Sequence, residues 1–316
     1  MLAMLNRPLL TESFSALDRF RPDAGSTYIF GSSVEERSDH SIAWENAADG
    51  VGFVQVVEQS DTTCVVKVAE EFLTLVLRNR SMLASLWERL SPNPLYIDIT
   101  GLSHHVWAPL IKSSLEADLV LRVVYVEPGD YRFSNSPTEG AIFDLSNDIR
   151  GISPLPGFTT LRGKSEDFLF VPLLGFEGAR LSYVLEQVQP LGDRVLPIVG
   201  VPGFRPEYPF HTYLGNRLPF LSTKSWRNTH FARANCPFSL FYALLDIVEN
   251  ARYSDIRVAP IGTKPHSLGA ILFSLSGVHP IEIIYDHPIR KQDRTKGSSR
   301  VSVYHASSFI RYFMTR

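Results

Sequence analysis

Residues 255–273 read DIRVAPIGTKPHSLGAILF, and the predicted fold is built around this stretch. It has the pattern of a buried strand, a short polar loop and an apolar helix that begins near Pro265. Gly262 lets the backbone approach a ligand closely, and the helix start offers free N–H groups and a positive dipole end. With Thr263 and the mobile charge of Lys264, the loop suits an anionic ligand. The alternative is a tight turn with a surface lysine.

The overall composition sets limits on the class of protein. Among 316 residues there are 31 basic and 33 acidic side chains, and the formal charge of −2 provides no general attraction to nucleic acid or to an anionic membrane. Cys64 and Cys236 lie far apart among apolar neighbours, which indicates buried thiols in a reducing, cytoplasmic setting. We expect no signal peptide, and no run approaches the ~18 apolar residues that span a bilayer.

Strand patterns alternate with helix patterns along the whole chain. This alternation predicts an α/β fold with a mainly parallel, doubly wound, Rossmann-like sheet, either as one domain or as two lobes. We place an N-terminal α/β lobe at residues 1–150 and a C-terminal Rossmann-like lobe with the ligand loops at residues 151–316. The boundary falls in a stretch rich in Ser, Pro, Gly and Asn at 132–164. Residues 209–235 have an irregular pattern and are a candidate lid.

Two further loops with glycines follow strands of the second half. In the loop 175–180, GFEGAR, Glu177 is either a helix cap or a ligand acceptor and general base, while Arg180 is a candidate anion contact. In the loop 202–208, PGFRPEY, Arg205 lies between turn-forming residues, so its guanidinium is held ready for a phosphate or carboxylate. A salt bridge to Glu207 or across the lobes is the alternative for Arg205.

The remaining candidate residues follow other strands. Ser32 and Ser33 come after the first strand, in a loop with Glu35 and Arg37, where they either receive an anion or cap a helix at 38–48. Asp98 and Asp286 also lie near strand ends, and with Glu177 they are the candidate catalytic carboxylates. His104 and His105 are adjacent and point in different directions, so no metal site is predicted. The predicted ligand contacts are Gly262, Thr263, Lys264, Gly175, Arg180, Gly203, Arg205, Ser32 and Ser33.

The strand–Gly262-Thr263-Lys264-Pro265–helix unit resembles the ligand loop of CRISPR-associated Rossmann fold (CARF) proteins. The resemblance covers about twenty residues, and it implies binding of a cyclic oligonucleotide at strand carboxyl ends, usually across a homodimer. Thr263 and Lys264 are the positions that it marks as phosphate contacts. No nuclease, HEPN-type or winged-helix effector can be recognised in the sequence after the Rossmann-like part. Either the effector is another polypeptide, or the resemblance reflects the fold alone.

Three functions remain open from the sequence. The first is a binding module for a nucleotide or a short, including cyclic, oligonucleotide, which acts as a sensor or partner subunit in bacterial antiviral defence. The second is an enzyme that acts on a nucleotide or phosphorylated sugar with a loop carboxylate as acid or base. The third is an assembly subunit of a protein or nucleic-acid complex. The chain has neither a P-loop nor a Gly-x-Gly-x-x-Gly motif, so no cofactor is predicted. We expect a homo-oligomer or complex subunit and no membrane partner.

Overall fold

The computed structural model describes residues 7–31, 35–38, 50–138, 141–159, 167–251, 253 and 255–314. Within them the chain forms eight α-helices and two main β-sheets, which confirms the predicted α/β class. Ser32, Ser33 and most of the helix predicted at 38–48 lie outside the described residues. None of the described helices is both long enough and apolar enough to cross a membrane.

The helices are α1 Arg80–Leu90, α2 His104–Glu116, α3 Gly178–Val188, α4 Tyr208–Gly215, α5 Arg217–Thr223, α6 Pro237–Asn250, α7 Lys264–Ser276 and α8 Ala306–Met314. The strands are β1 Thr11–Phe14, β2 Thr27–Gly31, β3 Gly52–Gln59, β4 Thr63–Val68, β5 Glu71–Val76, β6 Leu95–Asp98, β7 Leu121–Tyr131, β8 Phe133–Thr138, β9 Ala141–Phe143, β10 Ser146–Ile149, β11 Leu169–Leu173, β12 Ile198–Gly200, β13 His230–Ala232, β14 Ile256–Pro260, β15 Glu282–Ile283, β16 Pro288–Arg290 and β17 Thr295–Tyr304.

The larger sheet has eight strands in the order β1-β17-β7-β6-β2-β3-β4-β5. Its four central strands, β7, β6, β2 and β3, are parallel, and antiparallel strands extend the sheet on both sides. We call it the large sheet. Because β17 pairs with β7 and β1, the large sheet contains chain from both sides of the expected boundary at residue 150.

The smaller sheet has five parallel strands in the order β13-β12-β11-β14-β15, and we call it the small sheet. Alternate side chains of β11 enter two different cores. Val171 packs into a core with Phe241 of α6 and Phe273 of α7, whereas Phe170 packs into a core with Val184 of α3. Helices therefore cover both faces of the small sheet, as a buried parallel sheet requires.

One apolar core joins the two sheets. It contains Ile97 of β6 in the large sheet, Val171 and Val258 in the small sheet, and Phe273 of α7 between them. The Phe241 ring of α6 lies 5.0 Å from the Phe273 ring, measured between centroids. Cys64 and Cys236 are free and buried, in agreement with the sequence.

Two segments have more regular structure than their sequence indicates. The predicted lid at 209–235 contains most of α4 together with α5 and β13, and the connection at 132–164 contains β8, β9 and β10. The helices α4 and α5 have only 8 and 7 residues, and Asn216 alone separates them. Helices this short do not show a full amphipathic repeat, so the pattern of the sequence misses them.

Candidate functional site

A cavity lies where the carboxyl ends of strands from both sheets meet. On the large-sheet side its wall includes Arg37, which follows β2, and His104, which follows β6. On the small-sheet side it includes Gly175, Gly203 and Gly262, which follow β11, β12 and β14. The cavity has a volume of about 90 Å³. Ligands of open α/β sheets bind at this edge of the strands.

Most of the residues predicted from the sequence lie at this cavity. Its wall includes Gly175, Glu177, Arg180, Gly203, Gly262, Thr263 and Lys264. Asp98, Asp286 and Arg205 are not part of the wall. The Arg205 guanidinium donates to the Gly129 carbonyl at 2.6 Å and lies 3.3 Å from the Asp130 carboxylate. The salt-bridge alternative therefore describes Arg205 better than the predicted ligand contact.

Lys264 spans the two sheets from the start of α7. Its ammonium donates to the carbonyls of Ile99 at 2.5 Å, Thr100 at 2.7 Å and Leu102 at 2.7 Å, all in the turn after β6. An ammonium has three protons, so none remains for a phosphate, which differs from the predicted contact. Burial and the nearby Arg290 lower the pKa of Lys264, while the three carbonyl acceptors favour its charged form.

The Thr263 hydroxyl is engaged in a similar way. It donates to the Ala234 carbonyl at 2.8 Å and accepts the His266 N–H at 3.3 Å, so Thr263 is the N-cap of α7. The hydrogen bonds of Thr263 and Lys264 therefore fix the start of α7 to the backbone of neighbouring loops. The predicted phosphate contacts are thus near the cavity but already bonded to protein.

Arg180 and Asp286 form a bidentate pair. The guanidinium donates to the two carboxylate oxygens at 2.7 and 2.6 Å, and it also donates to the Ile261 carbonyl at 2.9 Å. Although burial acts in the opposite direction, the Asp286 carboxylate holds the pKa of Arg180 above its ordinary value. Asp286 is fully buried, is not part of the cavity wall and fixes the position of Arg180.

The other two predicted carboxylates are also bonded to protein. Glu177 accepts the Leu145 N–H and the Ser146 hydroxyl, both at 2.9 Å, and although it is the N-cap residue of α3, its side chain makes no capping hydrogen bond. Asp98 is buried and accepts the Tyr28 hydroxyl at 2.9 Å and the Thr100 N–H at 2.8 Å. Of the three candidate catalytic carboxylates, only Glu177 lies on the cavity wall.

Arg290 is a cation of the cavity wall that the sequence did not single out. Its side chain lies on the cavity wall, and no described residue forms a hydrogen bond or ion pair with its guanidinium. Burial and the neighbouring Arg294 lower the pKa of Arg290 to about 10, so it is still charged at pH 7. An unpaired guanidinium in a cavity has a strong electrostatic preference for an anion.

Glu35 organises the cations beside Arg290. Its carboxylate accepts Arg37 and Arg294 at 2.7 Å each and the Thr295 hydroxyl at 3.0 Å. Although burial raises it, the two guanidinium groups hold the pKa of Glu35 well below its ordinary value. Of this group, the sequence marked Glu35 and Arg37 as part of the loop after β2, whereas Arg290 and Arg294 lie in a basic, hairpin-like stretch at 290–300 that gave no sign of a site.

The cavity also has polar and aromatic walls. The Nδ1 of His104 lies 2.9 Å from the Tyr285 hydroxyl, whereas its buried Nε2 has no partner among the described residues. Burial and the nearby Arg290 hold the pKa of His104 well below its ordinary value, so the ring is neutral. The wall also contains Phe176 and Tyr208, whose ring centroids are 5.2 Å apart. These groups can hydrogen-bond and stack against a ligand.

Comparison with known proteins adds no assignment to this geometry, since no protein-family model matches the chain and no curated protein matches it.

Proposed function

We propose that the chain binds a nucleotide or a short, including cyclic, oligonucleotide, with one phosphate group of the ligand beside Arg290. The supporting observation is a charged guanidinium that faces the cavity without a protein partner among the described residues. Four other cationic side chains line the same cavity, and all of them are bonded to protein: Arg37, Arg180, Lys264 and Arg294. In this proposal the chain is a sensor or partner subunit, and the CARF resemblance suggests antiviral defence as its setting.

The dimensions of the cavity indicate how the ligand enters. The open space of about 90 Å³ holds several water molecules or one small anionic group. Typical ligand pockets have roughly 300–1,000 Å³, so a complete nucleotide requires movement of one rim or extends outward through the mouth. Phe176 and Tyr208 line the wall and offer rings for a base to stack against.

We also propose that the small sheet is a doubly wound, Rossmann-like unit. Counted along the chain, its strand order is 3-2-1-4-5, and helices cover both faces. In such a fold the ligand lies where the strand order reverses, here between β11 and β14. The loops after these two strands carry Gly175 and Gly262, and both loops line the cavity.

Titration calorimetry with phosphate, mononucleotides and cyclic oligonucleotides tests the proposed binding. We expect one saturable, salt-sensitive site, because phosphate binding to a guanidinium weakens as salt screens the charges. Arg290→Met should weaken the binding by about 1.5–3 kcal/mol, which corresponds to roughly tenfold to a hundredfold in affinity.

Arg205→Met is the matched control for this experiment. It removes a guanidinium from the same fold, but Arg205 lies outside the cavity wall and is bonded to Gly129 and Asp130. The Arg205→Met variant should bind the phosphate compounds with the affinity of the wild type. The absence of saturable binding by any phosphate compound, or equal losses in the two variants, would contradict the proposal.

The enzymatic alternative depends on Glu177. It is the one predicted carboxylate on the cavity wall, and its two oxygens accept from Leu145 and Ser146. A general base must reach the proton that it abstracts, so Glu177 would have to release one of these donors first. Turnover of a nucleotide that is lost in Glu177→Gln, with binding retained, would favour this alternative.

The assembly proposal draws support from α4 and α5. These helices expose four large apolar side chains, Phe210 at 75%, Leu214 at 40%, Leu218 at 68% and Leu221 at 56% exposure. Exposed apolar side chains that form a continuous patch are typical of interfaces. Sedimentation analysis over a range of concentrations measures whether the chain self-associates, and a strictly monomeric chain would contradict the homo-oligomer.

A further inference from the structure

A second cluster of polar side chains lies in a groove next to the cavity. It consists of Asp61, His105 and His287, and one possible metal-binding atom from each lies within 4.8 Å of the other two. Asp61 lies in the turn between β3 and β4, His105 in the first turn of α2, and His287 between β15 and β16. The three residues are distant in sequence, so no local ligand motif reveals them.

His287 is held in a specific orientation. Its Nε2 lies 2.8 Å from both the carbonyl and the hydroxyl oxygen of Ser153. A proton on Nε2 that is donated to this carbonyl leaves Nδ1 with a free lone pair. The backbone of His287 has φ of 46°, in the left-handed region that few residues with a side chain adopt. Such a conformation persists where the surrounding structure fixes it.

The Nδ1 atom of His287, which carries this lone pair, lies close to the side chains of His105 and Asp61. Its Nδ1 lies 2.5 Å from the Nε2 of His105, and that Nε2 lies 3.3 Å from a carboxylate oxygen of Asp61. The two rings stack with centroids 4.6 Å apart. Two ring nitrogens and one carboxylate oxygen therefore converge on one point at the groove, where the side chain of Asp61 is 50% exposed.

We propose that Asp61, His105 and His287 bind a divalent transition-metal ion of the Zn²⁺ class. Imidazole nitrogens with one carboxylate oxygen are ligands that Zn²⁺ and its neighbours accept, whereas Mg²⁺ and Ca²⁺ prefer oxygen ligands throughout. The Ser153 carbonyl is the partner that a metal-bound histidine needs on its second nitrogen. With Zn–N distances of ~2.0–2.1 Å, the two nitrogens would lie ~3.3 Å apart, so the rings separate by under ~1 Å.

Two features of the groove set the expected behaviour of the site. The Arg150 guanidinium donates to the two carboxylate oxygens of Asp61 at 3.0 and 3.1 Å, so it competes with the ion for this ligand. Both side chains are about half exposed, and exposed ion pairs of this kind contribute only ~0–1 kcal/mol. Three protein ligands leave a fourth position open toward the groove, where water or a substrate atom binds.

The test uses the full chain after treatment with EDTA, titrated with ZnCl₂ by calorimetry and with Co²⁺ by visible absorption. We expect one ion per chain, with a Co²⁺ spectrum typical of four ligands. Asp61→Asn and His105→Gln should each weaken binding about tenfold or more. Arg150→Ala should strengthen it, because Asp61 then loses its competing partner.

His279→Gln is the matched control. His279 lies outside the cluster, and among the described residues the hydrogen bond of its ring is to the neighbouring Pro280 carbonyl. It should bind metal like the wild type. Asp61 lies in an exposed turn, so Asp61→Asn keeps the test valid even if a histidine variant fails to fold. The absence of saturable Zn²⁺ binding, or wild-type affinity in both Asp61→Asn and a folded His105→Gln, would overturn the proposal. This outcome is independent of any result on the anion cavity.

Discussion

Lys264 connects the two sheets through three hydrogen bonds rather than by apolar contact alone. Lys264→Met keeps the length of the side chain but leaves the carbonyls of Ile99, Thr100 and Leu102 without their donor. We expect the free energy of unfolding to fall by about 2–4 kcal/mol, since each buried unsatisfied carbonyl has a cost. Urea unfolding measures this loss. A variant as stable as the wild type that binds the ligand far more weakly would instead make Lys264 a ligand contact.

Glu35 makes stability depend on acid pH. Its folded-state pKa is lowered, so its contribution is fully present above the unfolded value of about 4.3 and is lost as the pH falls through the folded pKa. Glu35→Gln should therefore be less stable than the wild type at pH 7, and the gap should narrow below about pH 4.3. Denaturant unfolding of both proteins from pH 7 to pH 3 checks this. A gap that is constant with pH would mean that the charge of Glu35 has no role.

At the level of single residues, the sequence located important positions but not their partners. The loop pattern marked Lys264 as special, yet its three acceptors are 162 to 165 residues away in sequence. The pairs Arg180–Asp286 and His105–His287 are likewise joined only by the fold. Arg290 was missed because a basic stretch gives no sign of which cation lacks a partner.

Among the elements, the strand–loop–helix unit around Gly262 was predicted in the right place. The structure gives β14 and α7 on either side of that loop. A long apolar strand followed by a glycine and an apolar helix leaves few alternatives, whereas α4 and α5 are too short to show a helical period. Gly262 lies on the cavity wall as well as against the backbone of a neighbouring loop. A Cβ there would lie 2.5 Å from the Leu174 carbonyl oxygen.

Gly262→Ala tests whether this glycine sets the distance between the loops after β11 and β14. The added methyl group meets backbone, which cannot rotate away, so one loop must shift. We expect a loss of about 1–3 kcal/mol in the free energy of unfolding and weaker binding in the cavity. Gly52→Ala is the control, because the nearest atom to its Cβ would be 3.8 Å away. Equal midpoints of urea unfolding for the two variants would show that the close approach has no energetic importance.

For the whole molecule, the sequence predicted α/β layers but not how they are combined. The sequence does not predict that β17 returns to pair with β7, because its side-chain pattern would suit an edge strand or an inner strand equally well. The same limit applies to the cavity, whose walls come from both sheets. Small polar residues at strand ends predict that ligand loops exist. Whether two sets of these loops meet depends on how the helices pack between the two sheets, and the sequence pattern does not show this.

The excess of positive charge in the cavity has a consequence for the stability of the whole chain. Five cationic side chains and one carboxylate line the wall, and Arg290 is the cation without a protein partner among the described residues. Because the folded-state pKa of Arg290 is lowered to about 10, its charge disfavours the folded state at every pH below that value. Arg290→Met should therefore raise the free energy of unfolding of the ligand-free protein by about 1 kcal/mol while it weakens ligand binding.

Sulfate separates this effect from general changes in stability. It stabilises most proteins by exclusion from their surface, and an anion bound beside Arg290 would add to that effect in the wild type alone. We expect sulfate to raise the melting temperature of the wild type more than that of Arg290→Met, with sodium chloride at the same ionic strength as the reference. Calorimetric melting of both proteins measures the two increments. Equal sulfate increments, together with a ligand-free Arg290→Met that is less stable than the wild type, would mean that Arg290 has an internal partner and that the cavity holds no anion there.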